Sequence, residues 1–248
     1  RMNSSQHASF SDGGLILGPD GDVYTCSNPP NGHGNEGEAG VLRNFALADG
    51  HQRWERLLPY PCNSWPAVSA DGSTVVVVPG SFNANAPTLE AAMIAAASNN
   101  YSSEELHEFL TEFHNSMKDL GLGQRAAAGM PDLRAAIMGF DTASGEELWR
   151  HDVIPWGELA SAGDEDGFLT RASLGHRTEC LPAHWSSPTI DASGAVYVGR
   201  TDGRLYRYSP GTDEANYMTG AGPLHSGSTF APGVMAYTDC DSLYVFNM

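Results

Sequence analysis

The chain has 248 residues, with 13 Lys and Arg against 30 Asp and Glu, for a net charge of −17. Its one lysine, Lys118, and the acidic excess leave no basic stripe to neutralise nucleic-acid phosphates or to dock on an anionic lipid surface. The 28 glycines and 15 prolines, in a chain that is 41% hydrophobic, indicate short strands joined by tight turns around a real core. No run approaches the roughly 18 apolar residues of a membrane-crossing helix, so no direct span is expected.

In chain order, the first strands are expected near 14–18, 22–26, 40–46 and 51–57, the second of them entered through Gly18-Pro-Asp-Gly21. Phe45, Gly50 and Trp54 frame a hairpin that recurs at Phe140, Gly145 and Trp149. A second group is expected at 65–69, 74–79, 135–141 and 146–152. Its opening, Ser64-Trp-Pro66 through Asp71-Gly72, matches Ser186-Ser-Pro188 through Ser193-Gly194. A third group falls at 186–190, 195–199, 204–208 and 214–219, with Tyr217 where the others place Trp. A fourth falls at 226–230, 234–238 and 242–247, and lacks an outer strand that residues 3–10 could supply. The alternative is a larger propeller completed by another segment or chain. Four-stranded units that recur, each unable to bury both of its faces alone, predict an all-β fold: a β-propeller of about four blades, or part of one, in a single domain over 1–248.

Two segments exceed what a blade needs. Residues 83–133 interrupt the second hairpin of the second unit. An Ala-rich helix is expected from Thr88 to Ala97, followed by a helix opened by the capping box Ser102-Ser-Glu-Glu105. That helix carries Leu106, Phe109, Leu110, Phe113, Met117 and Leu120 at helical spacing, ending at Gly121 or Gly123. Residues 153–185 form a polar, Gly-containing long loop between the second and third units.

The segments GFDTASGEELWR (139–150) and WSSPTIDASGAVYVGRTDGRLYRYSP (185–210) resemble the PQQ-like, or quinoprotein-type, propeller repeats. The resemblance covers the chain outside 83–133 and 155–181. It implies that Trp54 and Trp149, and Tyr217 in their place, are structural residues packing between blades. Such folds serve quinone dehydrogenases, membrane-assembly lipoproteins and stress-sensor lumenal domains. A quinone enzyme would need adjacent cysteines on the quinone and a Ca²⁺-binding carboxylate set. No two cysteines are adjacent here, and no cofactor is expected.

Cys26, Cys62, Cys180 and Cys240 form no CxxC and permit three pairings. On the strand map all four fall on the face that carries both long segments. Cys26 with Cys62 is the most local pair, and Cys180 with Cys240 would then staple the long loop. Disulfides would place the chain in an extracytoplasmic compartment, such as the periplasm, secretory pathway or an organelle lumen. Four buried thiols are the alternative.

Asp164-Glu165-Asp166 reads as a solvated acidic loop, since the ligand alternation of a Ca²⁺ loop is absent. His176, Cys180 and His184 lack zinc spacing, and Ser226-Gly-Ser228 lacks the frame of a nucleophile elbow. Neither catalytic nor metal-ligating residues are therefore expected. Leu106, Phe109, Phe113 and Met117, with Trp156 and Trp185, are the candidate partner-binding residues. The expected function is a non-catalytic scaffold for a protein partner, such as a membrane complex docked from its lumenal or periplasmic side. The alternative is a quinoprotein-like or sugar-processing enzyme with its site under the helical insertion.

Overall fold

A computed structural model describes residues 14–19, 21–28, 40–62, 64–81, 102, 104–105, 107–108, 111–112, 115, 132–158, 160–174, 185–219, 227–239 and 242–248. The repeated turn sequences fold alike. Asp71 Oδ1 accepts from the Ser73 N–H at 3.0 Å, and Asp191 Oδ1 from the Ser193 N–H at 2.8 Å. Asp141 Oδ1 accepts from the Ser144 N–H at 2.7 Å. Each Asp thus closes its own turn, and Gly72, Gly194 and Gly145 supply the positive φ that reverses the chain.

Between the turns, period-two apolar alternation builds four antiparallel sheets. The first blade is β1 (Leu15–Leu17), β2 (Asp22–Ser27), β3 (Gly40–Ala46) and β4 (Gln52–Leu58). The second is β5 (Ala67–Val68), β6 (Thr74–Val77), β7 (Ala136–Asp141) and β8 (Glu147–Asp152). The third is β9 (Thr189–Ile190), β10 (Val196–Gly199), β11 (Arg204–Ser209) and β12 (Glu214–Thr219). The fourth is β13 (Thr229–Ala231), β14 (Val234–Thr238) and β15 (Leu243–Asn247). Each sheet keeps its strands in chain order, and the fourth has three strands among the described residues. Residues 3–10, the expected closing strand, lie outside those residues.

The fold is an all-β propeller. The short inner strands β1, β5 and β9 lie side by side at the hub. The core lies between successive blades in three layers. Tyr24, Cys26 and Leu42 of the first blade meet Val75, Val77 and Met138 of the second. Val76, Val78 and Ile137 meet Val196, Val198 and Tyr206 of the third. Ala195, Tyr197 and Leu205 meet Met235 and Tyr237 of the fourth.

The repeat tryptophans stand at one place in their sheets, Trp54 opposite Asn44 and Trp149 opposite Gly139, each beside a bulge. Trp54 is buried and donates its indole N–H to Thr142 O at 2.9 Å, in the outer turn of the next blade. Arg56 donates to Gly145 O at 2.8 Å and Ser144 O at 2.7 Å in the same turn. Trp149 is half-buried instead. It lies over Gly139, where a Cβ would collide with the indole, and its ring centroid is 5.2 Å from that of Tyr208. Tyr217 is exposed, with the Arg204 guanidinium 4.8 Å from its ring centroid.

Residues 153–185 are not wholly a loop. Helix α1 (Glu165–Ser173) has Glu165 and Asp166 in its first turn and Arg171 in its last, matching the helix dipole. The acidic run expected to be a solvated loop is the start of this helix, and Asp164 pairs with Arg171 at 2.5 Å. The capping box at 102–105 is present: the Ser102 N–H donates to Glu105 Oε2 at 2.8 Å, and the Glu105 N–H to Ser102 Oγ at 3.2 Å.

Trp54→Ala is expected to lower unfolding free energy by about 3–5 kcal/mol in urea titration. Gly145→Ala should cost about 1–3 kcal/mol, because a Cβ there would be 2.8 Å from the Trp54 ring at a φ of +72°. An unfolding midpoint unchanged in either variant would contradict this account of the contact between the first two blades.

Candidate interaction face

In each blade, the link from second to third strand and the link onward to the next blade emerge on one face. The disulfide and the bases of both long segments lie there. Cys26, near the end of β2, is bonded to Cys62 in the link to β5, with Cα atoms 5.6 Å apart and a sequence separation of 36. In the chain-entropy model, closing a loop of that size stabilises by roughly 3–4 kcal/mol. Cys180 and Cys240 lie outside the described residues.

The insertion leaves and returns through a closed neck. Gly80 bridges Ala135. The Ser81 N–H donates to Arg134 O at 2.6 Å, and the Arg134 N–H to Ser81 Oγ at 2.6 Å. One residue further out, Leu133 exchanges both backbone bonds with Trp156, at 2.8 and 2.9 Å, which joins the returning insertion to the start of the second segment.

Arg200, just after β10, holds this junction from beneath. Its side chain is wholly buried. It donates to Ile154 O at 2.6 Å and to Leu133 O at 2.8 Å, so one guanidinium ties the two long segments together. Its counter-charge is Asp202, also wholly buried, at 3.1 Å. Asp202 further accepts from the Tyr206 hydroxyl at 2.7 Å and from the Arg204 N–H and side chain at 3.1 and 3.2 Å. Burial first, and then Asp202 beside it, pushes the Tyr206 hydroxyl up to about 12. The loop before α1 docks on the next residue, Ser161 Oγ lying 2.6 Å from Thr201 Oγ1 and the Ala162 N–H donating to Thr201 O at 2.9 Å.

The structure treats the candidate partner-binding residues differently. Trp185 is 5% exposed, so it does not present a surface aromatic as expected. Its indole N–H reaches Pro79 O at 3.3 Å, its ring meets Tyr206 edge-on at 5.5 Å, and the Arg200 guanidinium lies 5.6 Å from its centroid. It fills the layer between the second and third blades. Trp156 is partly buried and donates to Ala160 O at 3.1 Å. Leu106, Phe109, Phe113 and Met117 lie outside the described residues. Arg200, Asp202 and Tyr206 were not anticipated from sequence.

Two clefts open among the described residues. One, of about 600 Å³ at the hub, is lined by Ile16, Leu17, Trp65, Pro188 and Phe230, with hydroxyls from Ser69, Ser187 and Thr189. Trp65 is 56% exposed at its rim. The other, about 620 Å³ on the opposite face, holds Asp71, Asp191, Arg207 and Glu214. Hydrogen bonds from Ser69 and then Ser73 bring Asp71 down to about 2. Burial opposes the same change at Asp191, but donors from Ser193, Ala195 and Tyr197 outweigh it. Carboxylates held ionised in this way are weak proton donors at neutral pH.

No protein-family description and no curated protein matches the chain. Among solved structures, BamB from Moraxella catarrhalis aligns with 97% of the chain and 44% of its own length, at 13% identity and a TM-score of 0.48. U3-55K aligns with 99% of the chain and 54% of its own length, at 8% identity and a TM-score of 0.46. The Dos1 propeller aligns with 94% and 40%, at 7% identity and a TM-score of 0.49. The chain thus spans about half the length of these structures.

Arg200→Met is expected to cost about 3–5 kcal/mol, because it removes a buried counter-charge of Asp202 and the guanidinium donor of the Ile154 carbonyl. Alkaline stability should follow Tyr206. Below its ordinary value of 10 the hydroxyl is protonated in both states; between there and about 12 the unfolded chain loses the proton while the folded chain keeps it. Stability therefore falls across that window. Urea midpoints measured across it should fall less steeply in Tyr206→Phe than in the parent.

Proposed function

We propose that the chain is a non-catalytic interaction propeller that binds a protein partner through the face carrying its two long segments. The observation that carries this reading is the buried Arg200 junction. A blade needs only strands and tight turns, yet here a desolvated charge is spent on the backbone carbonyls of Leu133 and Ile154, one at the base of each addition. Burying a charge is costly unless it is fully paired. What it secures is a fixed geometry between two elements that the blades themselves do not require. That is the demand of a recognition surface.

The Cys26–Cys62 disulfide supports an oxidising compartment, and with it an accessory subunit docked on the lumenal or periplasmic side of a membrane complex. The capped helix beginning near Ser102 supplies the contact, through Leu106, Phe109, Phe113 and Met117, with Trp156 at the junction.

Replacing 83–130 by a short Gly/Ser bridge retains Leu133, and with it the acceptor of Arg200. The variant should keep the parent's unfolding midpoint within a few degrees, because the Ser81–Arg134 neck closes beneath the deletion. It should also lose the partners that co-purify with the parent from the source organism. If the same partners still co-purify, the binding face lies elsewhere.

A further inference from the structure

The outer rim is closed between the first and second blades and open between the second and third. Phe140 stands opposite Val75 as Tyr208 stands opposite Val196, so the turn at 141–146 is equivalent to the turn at 209–214. At the closed seam, Trp54 lies against Gly145, and Arg56 donates to Gly145 O and Ser144 O. Thr142 ties the same turn inward. Its N–H donates to Ser73 O at 3.0 Å and its hydroxyl to Gly72 O at 2.7 Å.

At the next seam the counterparts of these groups differ. Pro210 stands for Thr142 and has neither the N–H nor the hydroxyl. His151 stands for Arg56 and stacks on Tyr208 at 4.9 Å instead of reaching the turn. Asp213 stands for Gly145. At a φ of +53° it is the one residue other than glycine with a positive φ among the described residues. That backbone is strained for a residue with a Cβ, and the Tyr208 hydroxyl, donating to Asp213 Oδ1 at 2.9 Å, holds it there. A side chain now occupies the place where Trp54 meets bare glycine. Trp149 accordingly stays half-buried, and its indole N–H has no acceptor among the described residues. The cleft of about 620 Å³ opens along this seam.

The lining is mixed in charge. Asp71, Asp191 and Glu214 repel an anion, and Arg207 among them repels a cation. Asp191 already commits its oxygens to Ser193, Ala195 and Tyr197. Arg207 is anchored through Nε to the Tyr197 hydroxyl at 3.0 Å, and its terminal nitrogens remain as donors. Donors, acceptors and one indole converge in a volume within the roughly 300–1,000 Å³ of small-molecule sites. We infer that this rim cleft binds a neutral mono- or disaccharide, with C–H groups of the sugar against Trp149 and its hydroxyls paired with Arg207 and the carboxylates. The site lies on the face opposite the two long segments and needs nothing from them.

The ¹⁵N-labelled full 248-residue chain is titrated with lactose, maltose, cellobiose and chitobiose, each to about 10 mM. At least one sugar should move the indole N–H resonance of Trp149, assigned by its loss in Trp149→Phe, with a Kd of about 1 mM or tighter. Asp213→Gly lets Trp149 settle onto the turn as Trp54 does, and should weaken that binding about tenfold or more. Gly211→Leu, on the cleft wall where a Cβ meets nothing within 4 Å, should weaken it as much with the unfolding midpoint unchanged. If none of the four sugars moves the resonance, or binding is undiminished in both variants, the inference is overturned. A response to trilysine or to sulfate, with none to the sugars, overturns it as well, since the cleft would then select charge.

Discussion

A twisted four-stranded sheet with apolar residues on both faces cannot bury them alone, and the stacking of the blades follows from that constraint. Each blade is one side of two layers. Tyr24 and Leu42 are buried only because Val75 and Val77 stand opposite, and Val76 and Ile137 only because Val196 and Val198 do. Removing one blade would expose the faces of two others. This is why the tryptophan contacts run between blades rather than within them: Trp54 and Arg56 both reach the turn that joins β7 to β8. That turn is therefore fixed twice, by its own Asp141 and by the preceding blade.

The long segments obey a different rule. At their bases, around Leu133 and Ile154, they are held by polar contacts, while Trp185 at the end of the second packs into the layer between the second and third blades. Arg200 suits this task because a guanidinium presents several donors in a fixed plane, so it reaches two carbonyls and one carboxylate at once. A lysine has the charge but not the fork. The pair with Asp202 contributes more to geometry than to net stability, since desolvation offsets much of the Coulomb attraction. Trp185 lies against the same guanidinium, buried in the layer between the second and third blades.

The strands were legible because their signals are local. Asp-Gly-Ser and Asp-Thr-Ala-Ser-Gly turns declare themselves within five residues, and valine-rich alternation such as 74–77 admits little but strand. Cys26 and Cys62 were also legible as the most local pair once the strands were placed. The Arg200 junction was not, because its acceptors are backbone carbonyls, which carry no side-chain signature. Trp185 looked like a surface anchor because its sequence neighbours are loop residues, whereas its indole acceptor, Pro79, is 106 residues away. Helix α1 was hidden by its polarity, although Glu165, Asp166 and Arg171 stand at the ends where the helix dipole favours them.

The acidic excess has a structural source that composition alone does not reveal. Four strand tyrosines donate to turn aspartates: Tyr197 to Asp191 at 3.2 Å, Tyr206 to Asp202 at 2.7 Å, Tyr208 to Asp213 at 2.9 Å and Tyr244 to Asp239 at 2.9 Å. Asp71 and Asp141 serve their turns through serine in the same way. A repeat fold multiplies its turn chemistry by its blade number, and aspartate is the residue that closes these turns while remaining ionised. Lowered carboxylate values at Asp71, Asp141 and Asp191 follow from that duty rather than from catalysis. Their contribution to stability is present above the ordinary aspartate value of 3.8 and is lost as pH falls, for Asp71 toward about 2. The net charge acts at long range, repelling other acidic surfaces and favouring neutral or basic ones.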